Sequence, residues 1–244
     1  LRPRGIVFDY GNTLVPFGRR EVEAIEGAIA GQLRREARGA ERERVAAALR
    51  ATLVDLHRER EATSRESDPG DVRRRTLAAL GVEPEADGHP AAFLAAYRDA
   101  FVGVVEAGPD TREVLTGLRR RGLRLGLLSN YSLAEAIRGS LEHLGLAPLF
   151  DAVVVSADLG LVKPRRELFD EIARRLGLPP EEILFVGDNE KADVAGARAV
   201  GMRTALTTEY AASAFFFEHP DENVAGVRPD LVIARLRDLP GEIG

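Results

Sequence analysis

The sequence predicts an α/β protein, a doubly wound parallel sheet interrupted after its first strand by an all-helical insertion. Three observations carry that expectation. Short apolar runs begin with Gly5-Ile6-Val7-Phe8 and resume at 125–128, 152–155, 183–186, 202–206 and 231–233, alternating with amphipathic stretches from residue 107 onward. That rhythm belongs to a parallel sheet covered by helices on both faces. Between the first two runs, residues 17–106 show helical spacing and no strand pattern. Finally, three runs end in polar residues, Asp9, Ser129-Asn130 and Gly187-Asp188, at the sheet edge where open α/β folds place their chemistry. The expected division is a core of residues 1–16 and 107–244 and an insertion of residues 17–106.

Taken in order, each element has a local cause. The opening run delivers Asp9 to a glycine-bearing turn, Tyr10-Gly11-Asn12, followed by Thr13. Within the insertion, Val22, Ile25, Ile29 and Leu33 form one helical stripe. Val45, Leu49, Leu53 and Leu56 form a second, and Gly39-Ala40 separates the two. A polar stretch at 63–70 contains Asp68-Pro69, a turn or helix start, and a third helix is expected over 72–80, stopped by Gly81. A fourth, over 90–106, carries Phe93, Leu94, Tyr97 and Phe101 on one side.

Beyond the joint at Gly108-Pro109, Asp110 is placed to cap a helix bearing Val114, Leu115 and Leu118. Further helices are expected over 132–144, 167–176 and 192–200, closed by Gly145, Gly177 and Gly201. The segment 207–229 fits the alternation poorly; its Phe215, Phe216 and Phe217 suit packing against the core better than a subunit contact.

Composition narrows the function. An apolar content of 45% is that of an ordinary folded protein, and 244 residues suffice for a core plus an inserted domain. A net charge of -5 argues against a nucleic-acid partner, which needs a basic face. With no cysteine there is no disulfide, thiolate metal site or cysteine nucleophile. No cationic leader and no apolar run of membrane-spanning length is evident, so a cytoplasmic location without membrane contact is expected. Monomer and homodimer both remain open. Basic residues are almost all arginine; the two lysines are Lys163 and Lys191. In such a chain a lysine marks a candidate site for a compact point charge.

The strand ends and Lys163-Pro164 would converge at one sheet edge. Asp9 and Asp188 are hard oxygen ligands, and Mg2+ is typically held by one or two carboxylates plus phosphate oxygens. Ser129 and Lys163 suit the remaining phosphate oxygens, and Asp193 lies close enough to reach the metal or to hold a ligand from behind.

Four motifs stand in order: Asp9-Tyr10-Gly11-Asn12-Thr13-Leu14, Leu127-Leu128-Ser129-Asn130, Lys163-Pro164, and Gly187-Asp188-Asn189-Glu190-Lys191-Ala192-Asp193. With them the chain resembles the haloacid dehalogenase superfamily of phosphotransferases and hydrolases. The resemblance spans essentially the whole chain, and it implies a Rossmannoid core with a helical cap domain. It also implies a phosphatase of small phosphorylated substrates with Asp9 as the nucleophile that takes up a phosphoryl group. Mg2+ would be bound by Asp9, Asp188 and the Gly11 carbonyl. Ser129, Asn130 and Lys163 would hold phosphoryl oxygens, Thr13 would order the turn, and Asp193 would stand behind the ligands.

One departure qualifies the match. Phosphatases of this superfamily usually carry an acid–base aspartate two residues after the nucleophile, where this chain has Gly11. General acid–base help is worth about 10²–10⁴ in rate. Either the substrate needs no acid, or the insertion supplies one (Glu21, Glu23, His57 and Tyr97 are candidates), or the protein is a slow relative that binds a phosphorylated ligand or a protein partner. Dehalogenation by an aspartate nucleophile is disfavoured by the acidic pattern around Asp188, and phosphonate hydrolysis by the absence of a lysine from 17–106. No phosphate-binding Gly-Lys-Ser/Thr loop, nucleophile elbow or histidine metal spacing is present.

Overall fold

The computed structural model describes residues 2–83, 90–212 and 227–244. Phe215, Phe216 and Phe217 lie outside the described residues, as do His89 and His219.

Six strands, β1 (Gly5–Phe8), β2 (Arg124–Ser129), β3 (Ala152–Val155), β4 (Ile183–Gly187), β5 (Arg203–Thr207) and β6 (Leu231–Ile233), form one parallel sheet. Its order is β3-β2-β1-β4-β5-β6. The fold is therefore the doubly wound one expected, and the order reverses between β1 and β4, where such sheets open a crevice at their carboxyl ends. Asp9 stands at that point, its N–H bonded to the Val186 carbonyl at 2.9 Å. Every residue of β1 is buried, which explains its near-continuous apolar character.

Four helices separate β1 from β2: α1 (Arg19–Glu36), α2 (Arg42–Thr63), α3 (Pro69–Ala79) and α4 (Pro90–Val104). Ile25, Ile29 and Leu33 bury the stripe of α1, while Val45, Leu49 and Leu56 bury that of α2. The break between them holds Gly39 at a φ of +84°, which costs glycine little. Helix α3 starts three residues before the apolar stripe, because the Asp68 carboxylate accepts the Gly70 N–H at 2.7 Å with proline in the first turn.

The core continues with α5 (Thr111–Arg120), α6 (Ala134–His143), α7 (Ser156–Leu159) and α8 (Arg166–Leu176). Asp110 precedes α5, but its side chain makes no capping hydrogen bond; it faces Arg237 at 3.9 Å instead. The helix expected over 192–200 is a π-turn at Glu190–Ala195 running into a short α-turn at Gly196–Ala199. The Asn189 carbonyl accepts from both Asp193 and Val194, at 3.0 and 3.2 Å, which widens the first turn.

One buried apolar cluster contains Ile6, Phe8 and Leu127 of the sheet together with Ile25, Leu33, Leu49, Phe93 and Phe101 of the helical insertion. Helix α4 packs on α1 and also on α6. A second cluster, with Val7, Leu128, Phe169, Ile172 and Phe185, covers the opposite face. Among the described residues, no helix is long and apolar enough to cross a membrane.

Candidate active site

Strand β1 ends by burying Asp9, and the turn after it is ordered by its own main chain. Leu14 and Val15 N–H groups donate to the Tyr10 carbonyl, and Asn12 N–H donates to Val15. Asn12 takes the left-handed conformation, φ +54°, which asparagine tolerates better than most residues, and its side chain accepts the Phe17 N–H at 3.0 Å. Thr13, expected to order this turn, is buried with its hydroxyl lacking a hydrogen-bond partner among the described residues. Tyr10 turns away from the sheet edge, with its hydroxyl 2.5 Å from Ser140 Oγ and burial pushing its pKa up to about 12.

Lys163 is the centre of the site. It is 5% exposed, and its Nζ donates to Asp9 Oδ1 at 2.5 Å, Asp193 Oδ1 at 2.6 Å and the Leu128 carbonyl at 3.2 Å. The Lys163–Pro164 peptide is cis. Burial pulls the ammonium toward neutrality, but Asp193 and Asp9 together outweigh that and hold its pKa above the ordinary value. Asp9 answers in the opposite sense. Burial raises it most, Lys163 opposes that rise, and Asp193 adds to it, so its pKa stands at about 7.

Asp193 reaches the lysine because the π-turn aims it back at the sheet edge. Its second oxygen accepts the Asn189 N–H at 3.1 Å. Gly187 gives it room, since a Cβ there would lie 2.2 Å from Asp193 Oδ2. Asp188 is half-buried beside it, and carboxylate oxygens of Asp9, Asp188 and Asp193 lie within 4.8 Å of one another. Three clustered carboxylates, two of them bonded to one ammonium, form an oxygen donor set that fits a hard divalent cation.

The structure brings Ser129 and Asn130 to the same edge. Ser129 is buried at the end of β2. Asn130 is tied to the lysine loop: its Oδ1 accepts the Lys163 N–H at 2.8 Å and its Nδ2 donates to the Lys163 carbonyl at 3.3 Å. Both polar atoms hold the lysine's main chain. Gly11 is half-buried and is not in a left-handed conformation; an added Cβ would meet only Phe17 Cβ within 4 Å, at 3.6 Å. Nothing in the backbone demands glycine there.

The insertion closes over this edge in two ways. On one side aromatic rings interlock: Phe101 of α4 lies 6.2 Å from Tyr10, 5.7 Å from Phe17 and 4.6 Å from Tyr131, and Tyr97 lies 6.0 Å from Tyr131. On the other side the contact is polar. Residues 64–66 pair with 160–162, and Lys191 meets Glu61 at 3.3 Å. A cleft of about 280 Å³ runs beside this polar seam, lined by Glu66, Ser67, Asp68, Ser132, Ala157 and Gly160 among others. Of the insertion's candidate acids, Glu21 instead accepts the Gly18 N–H at 2.8 Å at the start of α1, and Glu23 meets Arg19 at 3.6 Å on the surface. Tyr97 is buried among the rings and held above its ordinary pKa by that burial, and His57 is half-buried on α2. Sequence reasoning missed Glu66, which carried no signal beyond lying in a polar stretch.

A model of the haloacid dehalogenase-like hydrolase family matches residues 3–201. Over 205 residues the chain is 32% identical to the glyceraldehyde 3-phosphate phosphatase of Methanopyrus kandleri, covering 82% of each chain. It superposes on the HAD-hydrolase YfnB from Bacillus subtilis bound to magnesium with a TM-score of 0.68, at 22% identity over 100% of both chains. On the L-2-haloacid dehalogenase RSc1362 the TM-score is 0.64, at 25% identity over 100% of this chain and 99% of that one. The fold is thus common to phosphatases and dehalogenases, and the choice between those chemistries falls to the side chains.

Proposed function

The chain belongs to the haloacid dehalogenase-like hydrolase family, and from that premise we propose that it is a Mg2+-dependent phosphatase of small phosphorylated metabolites, working through an aspartyl-phosphate at Asp9. The observation that carries this reading is the grouping of Asp9, Asp188 and Asp193 within 4.8 Å of one another, with the Lys163 ammonium bonded to Asp9 and Asp193. Displacing halide from carbon by a carboxylate needs no cation, whereas three carboxylates with one lysine invite one. The similarity to a glyceraldehyde 3-phosphate phosphatase supports the same choice.

In the proposed first half-reaction an Asp9 carboxylate oxygen attacks phosphorus. The bond from phosphorus to the leaving group breaks, and the leaving oxygen keeps the electron pair. In the second, water attacks phosphorus, the bond to Asp9 breaks, and inorganic phosphate departs with release of one proton. Lys163 opposes the burial that favours neutral Asp9 and offsets the nucleophile's repulsion from an anionic substrate. Ser129 holds a phosphoryl oxygen, and Asn130 holds the lysine loop. Asp9, Asp188 and the Gly11 carbonyl are the proposed Mg2+ ligands, and the bound ion would offset charge on the phosphoryl oxygens. Residues 17–106 act as a cap that excludes water during transfer.

With Gly11 lacking a carboxylate, the reading favours leaving groups that depart without a proton, such as acyl and aryl phosphates. The engagement of Glu21 at the start of α1 supports this, because that carboxylate already serves the main chain. The test compares acetyl phosphate, an aryl phosphate and alkyl monoesters, each with Mg2+ and with chelator. Mg2+-dependent turnover that disappears in Asp9→Asn is expected; turnover of none of the three overturns the enzyme reading and leaves a phosphate-binding relative.

A further inference from the structure

The polar side of the insertion's seam is a closed hydrogen-bonded circuit around Lys163. Glu66 N–H donates to the Gly160 carbonyl at 3.1 Å, and Val162 N–H donates to the Ser64 carbonyl at 3.2 Å. Val162 directly precedes Lys163. The Glu66 side chain is 3% exposed and crosses into the core, where Ser156 Oγ donates to its Oε2; its Oε1 accepts the Ser67 N–H at 3.0 Å, and Arg60 lies 4.0 Å away. Ser156 Oγ in turn accepts the Tyr131 N–H at 2.8 Å. Tyr131 follows Asn130, whose amide grips the Lys163 main chain on both its N–H and its carbonyl. One residue of the insertion therefore reaches three places: its carboxylate holds the start of α7 and, through Ser156, the loop after β2, while its main-chain N–H pairs with the loop that leads into the lysine.

We propose that Glu66 is a positioning residue: docking of the insertion through Glu66 and Ser156 sets the loops that present Ser129 and Lys163. The proposal rests on the phosphatase reading for its kinetic consequence and on geometry alone for its structural one. A buried carboxylate bonded to a hydroxyl and a main-chain N–H holds its partners stiffly, because leaving either unpaired costs desolvation. Misplacing a catalytic group by about 1 Å can cost about 10²-fold in rate. Closure of the insertion and alignment of the lysine thereby become one event.

Three variants and two readouts test it. Glu66→Ala should lower kcat for acetyl phosphate by about 10²-fold with KM changed less than about threefold. Glu66→Gln, whose one amide oxygen still accepts from Ser67 while its amide N–H donates to Ser156 Oγ and the Ser156 proton turns to the Tyr131 carbonyl, should recover most of that loss. Independently of any turnover, amide hydrogen exchange over 160–164 should speed up in Glu66→Ala and in Ser156→Ala while the sheet's protection is unchanged. The proposal is overturned if Glu66→Ala leaves kcat within about twofold of the parent, if kcat falls only in proportion to the folded fraction, or if exchange over 160–164 stays the same. Should the parent enzyme turn over no phosphate, the phosphatase reading fails and the exchange arm alone decides the coupling.

Discussion

The sheet edge buries charges and the aromatic side of the insertion's seam buries rings, and the two contribute in opposite ways. At the edge, Lys163 sits between Asp9 and Asp193, and burial drives Asp9 toward its neutral form. Such an arrangement is held in place by its surroundings rather than by its own energy, since desolvation offsets much of the attraction between buried charges. At the seam, Phe101, Tyr131, Phe17 and Tyr10 bury apolar surface with no charge to desolvate. The difference teaches that buried charge and apolar cohesion are separable here: the edge holds the charged groups of the proposed site, and the seam supplies apolar burial that holds them together.

That separation can be broken by substitution. Asp9→Asn should reduce Mg2+-dependent turnover by at least about 10³-fold while circular dichroism shows the protein folded; a comparable loss of structure would mean the edge is also a structural keystone. Phe101→Ala, at a fully buried ring, should cost about 3–5 kcal/mol in urea unfolding. Its turnover per folded molecule should fall far less than in Asp9→Asn, and equal losses would erase the distinction. Gly11→Asp, which the backbone accommodates, should raise turnover of alkyl phosphates by about 10²-fold and that of acetyl phosphate much less. Equal gains would show that proton transfer is not what the glycine withholds.

The smaller effects sharpen the picture. In the metal-free protein, folding raises the pKa of Asp9 from 3.8 to about 7. Below 3.8 both the folded and the unfolded chain hold that proton; between the two values only the folded chain does. The stabilisation from proton uptake at Asp9 is therefore complete below 3.8 and is lost as pH rises through about 7. Urea midpoints from pH 5 to 8, taken as parent minus Asp9→Asn, should fall with pH; a flat difference would mean Asp9 is ionised throughout. Smallest, Tyr10→Phe removes the buried bond to Ser140 and should cost about 1 kcal/mol with turnover little changed.

How much of this was legible before the structure follows from the range of each signal. Strand runs and their polar endings are local patterns, so Asp9, Ser129 and Asp188 could be placed at one edge from sequence, and the scarcity of lysine singled out Lys163. The π-turn that aims Asp193 was not legible, because apolar spacing over 192–200 suits an ordinary helix and the widening is set by one carbonyl. Asp110 looked like a cap from its position, yet a cap depends on a rotamer that periodicity does not encode. Glu66 was invisible for a stronger reason. Its partner Ser156 is 90 residues away, and a hydrogen bond between two loops leaves no trace in the local pattern of either.

The two lysines carry a last consequence. One, Lys163, is enclosed by three acceptors at the sheet edge; the other, Lys191, lies at the surface against Glu61. Isotopic labelling of lysine alone would therefore yield two side-chain resonances from this chain, well separated by environment and by exchange with solvent. The buried one would report the charge on Asp9 through their direct bond, and the other would report the contact between Lys191 and Glu61 of the insertion. A single labelled sample would then follow both protonation and that contact without any foreign probe.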